Sequence, residues 1–317
     1  MLNDLKFVAG AVSRKDFVQA LSHFRIENGT VRGFNGTIGL CSPINLDLDI
    51  TPKADQFIKA VQTCDDTIAL HVTNAGKLSL KSGKFKALIE CIEKESFPEI
   101  LPQGDFVHVQ PGFLATIRRL STFISDDASR NWSRGILFKG QSAFATNNIV
   151  LAESWLGYDF PVTVNIPKTA INELLRINEE PVSLQMTENR ISFHFEGDRW
   201  LCSQTYETEW PDLSRVLNTQ SEPVAIPGNL FNDIEALQPF TNDVNTLFFS
   251  NGLISTAEND DIGASIENAE VTFTGKYNAR QLLLLRDVAT TIDFALYPAP
   301  CMFFGDKIRG AIVGMRS

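Results

Sequence analysis

The chain has 317 residues, 44% of them hydrophobic, with 28 lysines and arginines against 38 aspartates and glutamates, a formal net charge of −10. That length admits two or three domains at roughly 100–200 residues each, and no apolar run approaches the ~18 residues that cross a membrane. The opening MLNDLKFVAGAVSRK lacks the basic start, apolar middle and small-residue cleavage site of a secretory signal, so a cytoplasmic protein is expected.

Leu2 to Ala11 forms the first helix candidate, followed by Arg14 and Lys15 on a loop. Two strands then flank Asn28-Gly29, the strongest short hairpin signal. Pro52 opens the helix PKADQFIKAVQTC, with Ala54, Phe57, Ala60 and Val61 on one face at helical spacing. A strand pair around Asn74-Ala75-Gly76 and the strand KFKALIEC lead to Phe97-Pro98. Pro111 opens a third helix, with Phe113, Leu114, Ile117, Leu120 and Ile124 as its apolar stripe. The stretch RGILFKGQSAFATNNIVLAES reads as three strands with turns at Gly140 and Asn147, and its alternation places Phe144, Ile149 and Leu151 inward and Thr146 half-buried. Pro167 opens a fourth helix with Ile171, Leu174 and Leu175 inward, followed by strands VSLQM and ISFHF and by Trp210-Pro211. NLFNDIEAL, a hairpin at Asn251-Gly252, a turn at Asn259, the helix NARQLLLLRDVATT and two terminal strands complete the chain.

The pattern is periodic. Asn147 lies 112 residues beyond Asn35, and Asn259 lies 112 beyond Asn147, each between a strand and a strand. The aromatic-proline pairs and the second helix starts keep nearly the same spacing, which indicates one unit used three times. Each helix is followed by a strand, a tight turn and a strand, so the expected class is α+β, with helices covering one face of antiparallel sheets. Turn residues near Leu101–Gly104 and Leu217–Glu222 set expected domains at 1–104, 105–219 and 220–317.

Basic residues fall on or beside the helices: Lys6, Lys53, Lys59, Arg118, Arg119, Arg130, Lys168, Arg176, Arg280 and Arg286. Such a face attracts phosphate without reading sequence, and it is equally what an ordinary solvated helix surface presents. Glu173, Asp233, Glu235 and Asp287 interrupt it. No catalytic, metal or cofactor site is expected. There is no G-x-x-x-x-G-K-[ST] and no G-x-S-x-G. The histidines (His23, His71, His108, His194) are scattered, and the acidic pairs Asp65-Asp66, Asp126-Asp127 and Asp260-Asp261 sit near turns. The cysteines (Cys41, Cys64, Cys91, Cys202, Cys301) are far apart without C-x-x-C and are expected to be reduced.

Several segments carry a resemblance. SRGILFKGQSAFATNNIVLAES resembles the LNG-x-LFE…ATDGHRLA segment of the bacterial DNA polymerase III beta subunit, the sliding clamp. VNIPKTAINELLRI resembles that family's IPRK-x-x-x-EL helix, EWPDLSRVL its FPDYRRVL, and the terminal IVGMR its VMPMR. The chain is similar to a compact, phage-type member. The resemblance implies a non-enzymatic processivity factor: three tandem DNA-clamp domains per chain, and a head-to-tail homodimeric ring around double-stranded DNA. It also implies a separate ATP-driven clamp loader, and a pocket between the second and third domains for peptides of polymerase and loader.

By matched position, the peptide pocket would use Thr146, Leu151, Pro211, Arg215, Val216, Val313, Met315 and Arg316. The family's Gly-His-Arg is Asn148-Ile149-Val150 here, and its Met-Pro-Met is Val313-Gly314-Met315, so the preferred peptide is expected to differ. DNA contacts would include Arg14 or Lys15 on the first loop and Trp132, the one aromatic kept of a family pair. The ring joint would set Phe85 and Ala87, on the strand Phe85–Cys91, against the third domain near Leu237. Two other classes stay open: a phage structural or assembly protein, whose helix faces would be buried between subunits, and a DNA-modifying enzyme, which needs converging carboxylates or a metal.

Overall fold

A computed structural model describes residues 1–13, 18–65, 67–206, 209–258 and 263–316. Arg14, Lys15, Asp66, Asn259, Asp260 and Asp261, named above, lie outside the described residues. In chain order the elements are α1 (Leu2–Val8), β1 (Arg25–Glu27), β2 (Thr30–Phe34), β3 (Ile38–Pro43), α2 (Ala54–Gln62), β4 (Ala69–Val72), β5 (Leu78–Ser82) and β6 (Phe85–Ile89). Next come β7 (Phe106–His108), α3 (Phe113–Leu120), β8 (Gly135–Lys139), β9 (Ser142–Thr146), β10 (Val150–Trp155), β11 (Val164–Pro167), α4 (Lys168–Ile177), β12 (Ser183–Thr187), β13 (Arg190–Phe195) and β14 (Arg199–Gln204). The last stretch holds α5 (Ser214–Leu217), β15 (Val224–Ala225), α6 (Leu230–Leu237), β16 (Thr246–Ser250), β17 (Leu253–Ser255), β18 (Ser265–Glu267), β19 (Gly275–Asn278), α7 (Ala279–Leu283), β20 (Thr291–Ile292), β21 (Cys301–Gly305) and β22 (Ile308–Ile312). Helix, three strands, helix, three strands therefore recurs, with an extra leading strand (β7, β15) and a strand before the second helix (β11, β19) in the later copies.

These elements fall into two compact units that cut across the recurrence: Met1–Leu114 with Thr169–Thr205, and Ala115–Lys168 with Tyr206–Ser317. The reason is strand pairing. β3 pairs with β14 in the first unit and β10 with β22 in the second, both antiparallel. Each pairing carries one sheet from one copy of the motif into the next, and the ladder hydrogen bonds tie the neighbouring halves together.

The first unit contains the seven-stranded sheet β1-β2-β3-β14-β13-β12-β7 and the three-stranded sheet β4-β5-β6. Asn28 and Gly29, both at positive φ, turn β1 into β2 as the Asn-Gly pair requires. α1 lies on β2 and β3 and buries Leu5 and Val8, while α2 buries Ala54, Phe57, Ala60 and Val61. Each large side chain buried this way contributes about 1.5–3 kcal/mol. Pro52 does not open α2. It bridges to Cys91, and the helix starts at Ala54. In α4 the inward residues are Ala170, Ile171, Glu173 and Leu174, with Leu175 half-buried instead of fully inward.

The second unit contains the eight-stranded sheet β11-β8-β9-β10-β22-β21-β20-β15 and the four-stranded sheet β18-β17-β16-β19. Its inner face is made by Ile136, Phe138, Ala143, Ala145, Val150 and Ala152, all fully buried. The turn Ser121–Phe123 that follows α3 rests on β9 and β10. This reverses the facing read from the sequence: Phe144 and Ile149 are not core residues, and Thr146 is buried. The alanines face inward because a helical layer approaches closely there, and the larger Phe144 stands on the opposite face. The sixth helix is also shorter than its sequence suggests. α7 ends at Leu283, Asn278 caps its start by accepting from the Gln281 N–H, and Leu282 and Leu285 are the buried members of the leucine run.

Candidate functional site

The residues matched to a peptide pocket all lie in the second unit, and Thr146, Leu151 and Val313 are on the face of the eight-stranded sheet away from the alanines. Thr146 and Leu151 are directly opposite each other on β9 and β10, and Leu151 is opposite Ala311 on β22. Val313 continues that row, its N–H donating to the Ile149 carbonyl at 2.9 Å. The Thr146 hydroxyl donates to the Val150 carbonyl at 2.8 Å and accepts from the Asn148 N–H at 3.0 Å, which fixes the turn into β10. Met315 is held by its N–H to the Lys276 carbonyl (2.6 Å) and by its carbonyl, which accepts from the Tyr297 hydroxyl (2.9 Å). Strand alternation thus sets Thr146, Leu151 and Val313 on one face.

The segment Trp210–Asn218 crosses the same face. α5 packs on β22, and Arg309 donates to the Leu217 carbonyl and pairs with Glu153 at 2.6 Å. The Ser214 side chain and backbone N–H hold the Asp212 carboxyl below the usual carboxylate range. Between this segment and the sheet runs a cleft of about 730 Å³, floored by Leu137, Phe144 and the Glu153–Arg309 pair and walled by Trp210 and Leu213. Trp210 meets Trp132 edge-on at 5.1 Å, and the Trp132 carbonyl accepts from the Asn165 side chain at 2.9 Å.

Thr146 and Leu151 expose only 5% and 9% of their surface, so they form a floor. The exposed apolar surface among these residues comes from Val313 (40% exposed), Ile149 (37%) and the half-buried Val216, and Pro211, Arg215 and Arg316 are exposed as well. Matching letters did not select Ile149. Its place in a two-residue turn between paired strands, where no core position exists, is the signal that could have.

The basic residues divide by what they already hold. Arg176 donates to the Phe7 carbonyl (2.7 Å) and to Glu173 (2.8 Å), and Glu173 is buried instead of intruding on an outer helix face. Arg286 donates to the Phe231 carbonyl (2.7 Å) and Glu235 (2.9 Å), and Arg119 donates to the buried Ser154 hydroxyl (2.8 Å). These three are anchored within their own units, although Arg176 and Arg286 keep 44% and 33% of their side chains exposed. Lys168 pairs with Asp126 (2.6 Å), Lys59 with Asp55 (3.6 Å), and Arg130 donates to Asn148 (2.8 Å). Arg118 and Arg280 are exposed, and Lys53 and Trp132 are half-buried. Among the described residues no group of three or more His, Cys, Asp or Glu is placed to hold a metal, and no helix is long and apolar enough to cross a membrane.

Two of the open strand edges bear on the ring joint. β6 is an edge of the three-stranded sheet, with Phe85 and Ala87 half-buried and Leu88 55% exposed. β18 is an edge of the four-stranded sheet. Leu237, expected opposite β6, is 2% exposed at the end of α6 and has no surface to offer, whereas Phe240 (63%) and Val244 (56%) just beyond it are exposed.

No family model matches the chain, and no curated protein matches it in sequence. Solved structures do. The sliding clamp (DNA polymerase III subunit beta) of Pseudomonas aeruginosa, solved bound to griselimycin, is similar with a TM-score of 0.83 at 19% identity, over 100% of this chain and 97% of that one. The sliding clamp of Bacillus subtilis gives 0.84 at 17% identity, and the beta sliding clamp of C. crescentus 0.84 at 18%, each with the same coverage. Paired helices on continuous antiparallel sheets, repeated along the whole chain and superposable on these proteins end to end, give this chain the fold of the bacterial beta sliding clamps.

Proposed function

We propose that the protein is a non-enzymatic DNA sliding clamp, a homodimeric ring that encircles duplex DNA and tethers a polymerase through the partly exposed apolar residues Val216, Ile149 and Val313 and the neighbouring cleft walled by Trp210 and Leu213. The observation that carries this reading is an unfinished pattern of strand pairing. The third strand of the first copy (β3) pairs with the last strand of the second (β14), and the third strand of the second (β10) with the last of the third (β22). By the same rule β18 takes the last strand of a first copy, β6, and both edges are open. A second chain placed head to tail supplies the missing partner at each end, and two such joints close a ring.

The rule also gives a register. Val150 faces Ile312 and Ile38 faces Ser203, and carrying these pairs onto the open edges sets Ser265 opposite the partner's Lys86, Ala264 opposite the partner's Ala87 and Glu267 opposite the partner's Lys84. The bond from the Trp155 N–H to the Lys307 carbonyl at 2.9 Å is the counterpart of the last pair. The joint therefore matches a lysine-bearing edge to a glutamate.

DNA held by enclosure needs only weak, sequence-blind contacts, for which the exposed Arg118 and Arg280 suffice. The three domains 1–104, 105–219 and 220–317, service by a separate loader, and a cytoplasmic site of action belong to the same proposal. Sedimentation tests the ring: a two-chain particle at micromolar concentration supports it, and a monomer at all concentrations overturns it. Calorimetry with griselimycin, which the P. aeruginosa clamp binds, tests the tethering surface. Saturable binding weakened at least tenfold by Val216→Asp supports it, and binding unchanged by that substitution overturns it.

A further inference from the structure

The edge of β4 departs from the recurrence. In the later copies the corresponding strand is covered by a short antiparallel strand: β12 by β7, with Leu184 opposite Val107, and β20 by β15. Among the described residues no strand pairs with the far side of β4. The consequence is visible in burial. Leu184, beneath its covering strand, is fully buried, while its counterpart Leu70 is half-exposed and Val72 is 45% exposed. An uncovered edge with apolar residues on one side invites strand addition.

The chemistry of the other side selects the partner. Residues 67–89 contain Lys77, Lys81, Lys84 and Lys86 and no acid, in a chain of net charge −10, and of these Lys77 pairs with Glu90 at 3.7 Å. Lys81 is directly opposite Ala69 on β4, and Lys86 is opposite Lys81. Ala69 is small, so the exposed Lys81 side chain can reach over it toward a strand laid beside β4.

We infer that β4 is a docking edge for an extended, acidic segment of a partner protein. The segment adds as an antiparallel strand, placing an apolar residue opposite Leu70 and acids on the Lys81 side, opposite Ala69 and His71. Main-chain hydrogen bonds supply affinity, and the lysines supply selection. The inference rests on the pairing pattern within one unit and is independent of DNA binding or ring closure.

The test uses the full chain and a fluorescein-labelled pentapeptide with valine at its centre flanked by glutamates. It is compared with a peptide carrying lysines instead and with a backbone N-methylated version. Anisotropy should show saturable binding of the glutamate peptide below ~1 mM, loss of binding on N-methylation, and slowed amide exchange over Ala69–Val72. Lys81→Glu, a surface change that leaves circular dichroism unaltered, should weaken the glutamate peptide at least fivefold and favour the lysine peptide. Absence of saturation overturns the inference. So does equal binding of the N-methylated peptide, or protection of the β4 amides that appears with protein concentration alone, which would make a second copy the occupant.

Discussion

The register at the open joint can be tested by swapping one charge pair. Lys84 and Glu267 are both exposed, so their attraction across the joint falls in the range of surface ion pairs, about 0.5 kcal/mol. Lys84→Glu removes that attraction and adds repulsion of similar size, about 1 kcal/mol per joint. A two-chain ring has two joints, so the dimer loses about 2 kcal/mol and its Kd rises about thirtyfold. Glu267→Lys should do the same, and the double variant should return to within about threefold of the parent, because each joint then carries the pair reversed. The assay is sedimentation equilibrium at low ionic strength, repeated at ~1 M salt, where screening should shrink all differences. Single variants within twofold of the parent at low salt, or a double variant no better than the singles, would refute the register.

Other predictions follow from the packing. Gly310 stands where an added Cβ would lie 2.1 Å from the Leu151 carbonyl oxygen, so Gly310→Ala should force β10 and β22 apart and cost about 1–3 kcal/mol in urea unfolding. An unchanged midpoint would mean that the strands tolerate separation. Arg176→Ala leaves the buried Glu173 without its partner and should destabilise by about 3 kcal/mol, whereas Arg280→Ala should leave the melting temperature unchanged. In DNA binding the order reverses: Arg280→Ala should lower the salt-dependence slope by about 0.9, measured by titration of a linear duplex between two salt concentrations. Thiol titration under native conditions should find at most Cys64 and Cys91 reactive. Cys41, Cys202 and Cys301 are buried, burial pushes the Cys41 thiol up to about 11, and all three should react only after unfolding.

The recurrence was legible because turns are made by few residue types. Asn-Gly at 28–29 and 251–252 and the apolar stripes of α2 and α3 mark their elements without tertiary context. Facing was less legible. Phe144 alternates correctly but lies on the outer face, because the alanines beside it admit a close helical layer and the sequence alone does not say which side that layer takes. Anchored arginines were equally hidden: Arg176 and Arg286 look like solvated helix charges until carbonyls from distant segments, Phe7 and Phe231, are found within reach. Position along the repeat points to Leu237, yet this helix end packs inward, and the large apolar residues exposed beyond it are Phe240 and Val244. Compact units could not be read from the repeat at all, since pairing across copies, as between β10 and β22, is a long-range choice.

Closure of two chains around duplex DNA can be captured by locking the joint. Ala87→Cys with Ala264→Cys, opposite each other in the expected register, should oxidise to a covalent ring when protein first diluted to single chains is brought back to dimer-forming concentration on nicked circular plasmid. Cross-linked protein should stay with the circle through a wash at ~1 M salt, which removes ionic contacts, and be released when the plasmid is cut once. Equal loss from circular and linear DNA, or equal retention on both, would contradict closure.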